Sequence, residues 1–98
     1  MGAIHGEVDA SNVPEIGLAL RDLVSNQGSL LVIDLTPTTY LDSAGINLLF
    51  ALGDELRSRQ LNLRLVIAPH SPIERMLKIT GLDRVFPTYP TVADAVSA

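Results

Sequence analysis

The chain has 98 residues, of which 47% are hydrophobic and 4% aromatic, so it can build one core from mainly aliphatic side chains. Eleven acids against seven lysines and arginines give a formal net charge of −4, which disfavours nucleic acid or an anionic membrane surface as a partner. There is no cysteine, and the two histidines, His5 and His70, lie far apart, so we expect neither a disulfide nor a metal site.

The apolar stretches of the chain are short. None approaches the ~20 consecutive apolar residues that cross a bilayer. Residues 1–10 also lack the basic and apolar regions of a signal peptide. We therefore predict a cytoplasmic protein without membrane insertion.

The first third of the chain alternates strand and helix signals. Residues 3–8 are predicted to form a short strand, and a capping-box pattern at Asn12 begins a helix over residues 13–26. We expect Gln27 and Gly28 to end this helix. Residues 30–35 are almost continuously apolar, which is typical of a strand covered on both faces. Asp34 interrupts this strand near its carboxyl end, where we expect its carboxylate to hold N–H groups of the following loop.

Residues 34–45, DLTPTTYLDSAG, run from the end of this strand through a short polar loop into the longest helical pattern, residues 43–60. The helix is predicted to turn one apolar stripe inward, formed by Ile46, Leu49, Phe50, Gly53 and Leu56. Leu48 and Leu52 fall outside that stripe. They are predicted to form an exposed apolar flank that a partner protein can contact.

The second half continues the alternation. Residues 62–67 are predicted to form a strand that is parallel to the preceding one, because a helix connects the two. Ser71 begins another helix and Gly81 ends it, followed by a brief edge strand over residues 85–88 and a terminal helix over residues 91–97. The side chains predicted to face inward are Ile73, Met76, Leu77, Ile79, Val92, Ala95 and Val96.

The order of elements is therefore β-α-β-α-β-α-(β)-α, which predicts a small α/β domain. We expect a mostly parallel four-stranded sheet, mixed if a further N-terminal strand is present, with about four helices. Residues 1–98 are predicted to form a single domain.

Ser43 is the residue whose chemistry the pattern leaves open, because a hydroxyl at a helix start either caps the helix or is available to a partner. Asp42 can perform the capping instead. Nucleophilic catalysis by Ser43 is disfavoured, since no histidine neighbours it in sequence and the G-x-S-x-G turn is absent. Phosphate-binding and dinucleotide-binding glycine loops are also missing. We therefore predict a binding protein and no enzyme.

Four stretches of the chain resemble the STAS domain family, as found in bacterial anti-sigma factor antagonists. They are GEVDASNVPEI, VIDLT, YLDSAGINLL and LVIAPHSPIERMLKITGLDRVFPTYPTVADAV, and together they span nearly the whole length. The DSAG core is a weak signal alone. Combined with GLD and the FPTYP ending, it makes the resemblance specific.

The resemblance implies that Ser43 is phosphorylated by a partner anti-sigma factor that is also a serine kinase using ATP and Mg²⁺. The unphosphorylated domain would bind this kinase and free a sigma factor, phosphorylation would break the complex, and a PP2C-type phosphatase would restore it. The domain itself would be the substrate, with no catalytic residues and no cofactor. We expect the partner-binding surface to comprise Asp42, Ser43, Ala44, Gly45, Asn47, Leu48 and Leu52.

The chain departs from the family pattern in three places. The strand that usually precedes the GE turn is missing, which suggests a piece of a larger regulator and leaves an exposed sheet edge for pairing with a second copy. Pro37 and Thr38 stand where the family often has Gly and an apolar residue, so we expect a stiffer loop. Ala44 replaces a frequent second serine, which leaves Ser43 as the acceptor in the core, with Thr38 and Thr39 as weaker neighbours.

Two other functions remain open from the sequence. STAS domains also regulate anion transporters and lipid-transfer complexes, although this compact chain lacks the insertions common in the transporter versions. A nucleotide-binding sensor module is the third alternative.

Overall fold

The computed structural model describes residues 2–27 and 30–98, with only the backbone described for residues 25–27. Gly28, which we expected to end the first helix, lies outside these residues. In chain order the elements are β1 (Gly2–Ala3), β2 (Gly6–Val8), α1 (Val13–Gln27), β3 (Leu30–Asp34), β4 (Thr38–Leu41), α2 (Ser43–Ser58), β5 (Asn62–Val66), α3 (Pro72–Thr80), α4 (Leu82–Val85), β6 (Thr88–Tyr89) and α5 (Val92–Ser97). The predicted α/β class is confirmed.

The central layer is a four-stranded sheet in the order β1-β3-β5-β6, and every strand pair in it is parallel. β3 and β5 form its middle, where Leu30 lies opposite Asn62 and Asp34 lies opposite Val66. Because α2 connects β3 to β5, the two strands run the same way, as predicted. β2 and β4 form a separate two-stranded parallel sheet that the sequence did not predict.

Both faces of the main sheet are covered. The larger core packs α1, α2, α3 and α4 on one face, with strand residues Leu31, Ile33, Leu63 and Leu65. The smaller core packs Ala95 of α5 against Val32 and Val66 on the other face. Successive strand residues therefore enter different cores, which explains why β3 is almost continuously apolar.

The first predicted strand, over residues 3–8, is divided between the two sheets. The chain leaves the main sheet after Ala3, and Ile4 still donates its backbone N–H to the Asp34 carbonyl at 3.0 Å. Gly6 then adopts a φ of +73°, in the left-handed region that favours glycine. This conformation redirects the chain, and β2 pairs with β4 instead.

β4 lies inside the segment that the sequence predicted as a polar loop. Asp34 holds the start of this segment as expected, since its Oδ1 accepts the Thr36 N–H at 2.9 Å and the Thr36 hydroxyl at 2.7 Å. After Pro37, the β-branched and aromatic sequence TTYL pairs with β2 and buries Thr38 and Leu41. The segment before α2 is therefore a paired strand.

The predicted edge strand over residues 85–88 is wrong over residues 85–87, and only Thr88 lies in a strand. Gly81 ends α3 with a φ of +83°, as expected, but the next residues form the short helix α4. The Phe86 N–H donates to the Leu82 carbonyl at 3.0 Å, which closes this extra turn. Only the two residues of β6 pair with β5.

Two side chains predicted to face inward are exposed instead. Ile79 is 79% exposed and Val96 is 58% exposed. At ~100° per residue, Ile79 lies about 120° around α3 from the buried Ile73. Val96 is likewise turned ~100° from Ala95, which is the buried residue of α5.

Candidate functional site

α2 begins at a capping carboxylate. Asp42 has an extended backbone, and its Oδ1 accepts the N–H of Ala44 at 2.9 Å and of Gly45 at 3.1 Å. The Asp42 N–H donates to the Val8 carbonyl at 3.1 Å, which ties the helix start to β2. Asp42 therefore performs the capping that the sequence left open between Asp42 and Ser43.

Ser43 is the first residue of α2, and its side chain is exposed. Within the described parts of the chain, the Ser43 hydroxyl has no hydrogen-bond partner. Because Asp42 occupies the capping position, the Ser43 hydroxyl can be contacted or modified without breaking an internal hydrogen bond.

Ser43 lies on the rim of a shallow groove of about 440 Å³, which we call the Ser43 groove. β4, the start of α2 and the outer side of α3 form its walls. Its lining residues are Tyr40, Leu41, Asp42, Ser43, Ile46, Asn47, Met76 and Thr80. Asp42 is the only one of them that is charged at neutral pH, so the groove holds no cation that could neutralise an added anion.

The neighbouring site residues divide into exposed and structural ones. Asn47 is exposed and lines the Ser43 groove. Gly45 is buried, and a Cβ built on it would lie 2.9 Å from Val8 Cγ1 and 2.5 Å from Leu41 Cδ1. Gly45 therefore lets α2 approach the two-stranded sheet and offers no side chain to a partner. Ala44 is half-buried.

The predicted exposed flank of Leu48 and Leu52 does not exist. Leu48 is 8% exposed and Leu52 is 1% exposed, and both belong to the larger core. The sequence prediction assumed that α2 is covered on one side. In the structure α1 also packs on α2, and Leu48 Cδ1 lies 3.2 Å from a Cβ built on Gly17. These two leucines therefore cannot contact a partner.

Thr38 and Thr39, which we expected to be weaker phosphate acceptors than Ser43, differ in solvent exposure. Thr38 is 6% exposed, and its hydroxyl donates to the Ile4 carbonyl at 2.7 Å. The prediction that Thr38 can accept a phosphate is therefore wrong, since its hydroxyl is buried and already hydrogen-bonded. Thr39 is exposed.

Five residues of the groove were not predicted as site residues, and two of them, Leu41 and Ile46, are buried. Tyr40 of β4 is 48% exposed. Met76 and Thr80 come from α3, which the sequence does not place next to α2. The available signal was their i, i+4 spacing, which puts both on one side of α3.

The described residues contain no grouping of three or more His, Cys, Asp or Glu that could hold a metal ion. Among the helices described, none is both long and apolar enough to cross a membrane.

Comparison with known proteins identifies relatives along most of the chain. The model of the STAS domain matches residues 3–95. The anti-sigma-B factor antagonist of Listeria monocytogenes is 33% identical over 82 residues, which cover 84% of this chain and 71% of that protein. The anti-sigma-F factor antagonist RsfB of Mycobacterium tuberculosis is 29% identical over 96 residues, which cover 97% of this chain and 76% of that protein.

A solved structure has the same fold. The crystal structure of an anti-sigma factor antagonist from Mycobacterium paratuberculosis matches with a TM-score of 0.85 and 32% sequence identity. The match covers 97% of this chain and 80% of that chain.

Proposed function

Because this chain belongs to the STAS domain family, we propose that it is an anti-sigma factor antagonist whose binding is controlled by phosphorylation of Ser43. The observation that carries this proposal is the separation of roles at the start of α2. Asp42 caps the helix through Ala44 and Gly45, while the Ser43 hydroxyl is exposed and has no partner in the described chain. Ser43 can therefore gain or lose a phosphate while Asp42 continues to cap the helix.

The effect of a phosphate on Ser43 follows from the charges of the groove. A phosphoserine adds about 1.5 to 2 negative charges at neutral pH. The only charged side chain that lines the groove is Asp42, also negative, and the Ala44 and Gly45 N–H groups are already bound. No cation of the groove would thus neutralise the phosphate on the binding surface. Binding of a partner would then require removal of water from the phosphate and would be opposed by charge repulsion.

In this proposal the partner is an anti-sigma factor that is also a serine kinase, and a PP2C-type phosphatase removes the phosphate. The unphosphorylated domain holds the anti-sigma factor and thereby frees a sigma factor. The domain acts in the bacterial cytoplasm as substrate and binding module, without catalysis of its own. Tyr40 and Asn47, which line the groove beside Ser43, are the side chains we expect the partner to contact.

The test is phosphorylation by the cognate anti-sigma factor kinase with ATP and Mg²⁺. We expect one phosphate, on Ser43, by mass spectrometry. Thr39→Ala is the matched control, because it removes a nearby exposed hydroxyl and should leave labelling unchanged. Wild-type labelling of Ser43→Ala would contradict the proposal.

Calorimetry then compares binding of the two states to the same kinase. Phosphorylation should weaken binding by about 100-fold or more, since like-charge repulsion at an interface costs several kcal/mol. Equal affinity of the phosphorylated and unphosphorylated domains would contradict the proposal that phosphorylation controls binding.

A further inference from the structure

α3 presents two different faces. Ile73 and Leu77 are buried in the larger core, while Arg75 and Ile79 lie four residues apart on the outward side. Ile79 is 79% exposed, the highest value among the exposed large hydrophobic side chains of the described chain. An exposed aliphatic side chain of this size next to a cation is a feature that the fold does not need.

A second groove, of about 390 Å³, runs along this outward face, and we call it the α3 groove. Its lining residues are His70, Ser71, Pro72, Arg75, Met76 and Ile79. Met76 lines the Ser43 groove as well, so the two grooves share a wall and form one continuous surface.

The size of the Ser43 groove argues that a partner contacts more than this groove. It has eight lining residues, whereas a stable protein interface uses roughly 20–30 residues on each side. A partner seated on Ser43 must therefore extend beyond the groove, and an apolar surface continues from it across Met76 to Ile79.

The charges of the α3 groove indicate what it binds. No acidic side chain lines it, and the exposed Arg75 makes no ion pair within residues 2–27 and 30–98. This local positive charge stands out in a chain of net charge −4. A complementary partner segment carries an apolar side chain for Ile79 and Met76 and an acidic side chain for Arg75.

We propose that the α3 groove, through Arg75, Met76 and Ile79, binds an acidic segment of the anti-sigma factor that also presents an apolar side chain. This inference rests on the proposed function, because it names the second part of the surface that binds the same partner. Ser43 does not line the α3 groove, so the α3 contact contributes affinity whether or not Ser43 can be phosphorylated.

The experiment measures binding to the purified anti-sigma factor, identified as the kinase that labels Ser43. We expect Ile79→Ala and Arg75→Glu each to weaken binding about tenfold or more, as for central interface residues. Leu18→Ala is the matched control, because Leu18 is a 70% exposed leucine on α1. This variant should bind the anti-sigma factor with wild-type affinity. Because Ile79 and Leu18 are both exposed, the melting temperatures of Ile79→Ala and Leu18→Ala should stay near that of the wild-type protein.

A second measurement separates this proposal from the proposed function. Ile79→Ala should weaken binding by the same factor in the Ser43→Ala background. Wild-type affinity of both Ile79→Ala and Arg75→Glu would overturn the proposal that the α3 groove binds the anti-sigma factor. It would leave intact the proposal that phosphorylation of Ser43 controls binding. Failure of the wild-type chain to bind or to be labelled would overturn both proposals.

Discussion

Leu48 of α2 packs against α1 at Gly17, where a Cβ built on the glycine would lie 3.2 Å from Leu48 Cδ1. The two helices can approach this closely because Gly17 has no side chain between them. Glu55 of α2 also accepts a hydrogen bond from Arg21 Nε of α1, at 2.9 Å. Leu48 is therefore a core residue at a helix contact.

Truncation of Leu48 should consequently act on stability. We expect Leu48→Ala to lower the free energy of unfolding by about 2–5 kcal/mol, the usual cost of a cavity at a buried leucine. Urea denaturation measures this loss, and Leu18→Ala, at an exposed leucine, should change the value by less than about 0.5 kcal/mol. Similar small losses in both variants would mean that Leu48 is not in the core.

A methyl group at Gly53 should also be destabilising. A Cβ at Gly53 would overlap the ring of Phe86, which is 5% exposed and has little room to move. Overpacking of this kind costs about 1–3 kcal/mol, and the better helix propensity of alanine returns up to about 1 kcal/mol.

Thermal denaturation provides the measurement for Gly53. We expect Gly53→Ala to melt several degrees lower, since ~1 kcal/mol corresponds to roughly 4–8 °C in a domain of this size. In the background of Phe86→Leu, which removes the ring, Gly53→Ala should be tolerated better. An equal cost in both backgrounds would exclude the ring as its cause.

The cap of α2 should contribute measurably to stability. Asp42→Ala leaves the N–H groups of Ala44 and Gly45 without their acceptor and should cost about 1 kcal/mol in the free energy of unfolding. Asp42→Asn keeps a side-chain oxygen and should lose much less. If alanine and asparagine have the same effect, the hydrogen bonds from Asp42 Oδ1 do not stabilise the helix.

The turn before α1 should make stability depend on pH. Hydrogen bonds from the Ser11 hydroxyl and backbone N–H, with a smaller contribution from Asn12, lower the pKa of Asp9 below its ordinary value. Because the folded pKa is depressed, Asp9 stabilises the fold above its unfolded pKa of ~3.9, and this contribution is lost as pH falls through the folded pKa.

NMR titration of the Asp9 carboxyl carbon should give a midpoint below ~3.9. Ser11→Ala removes the hydroxyl that is the largest cause and should move the midpoint upward, while the backbone N–H of residue 11 remains. An unchanged midpoint in Ser11→Ala would rule out the hydroxyl as the main cause.

Much of the candidate site was predictable because its signals are local. Ser71 before α3 and Gly81 after it act through backbone groups within a few residues, and both behave as predicted, while the cap of α2 falls on Asp42, one of the two candidates in the sequence. The apolar run of β3 likewise predicted a strand covered on both faces, since burial on two sides leaves no place for polar residues.

The sequence by itself determined the α/β class, the parallel pairing of β3 and β5, the two ends of α3 and the position of Ser43 at the start of α2. Only the tertiary structure decided which sides of the helices are buried, because that depends on how many neighbours pack on each one. α2 contacts α1 as well as the sheet, which buries Leu48 and Leu52, whereas α3 leaves Ile79 exposed. The tertiary structure also decided that Met76 and Thr80 of α3, which are distant from Ser43 in sequence, complete the groove beside it.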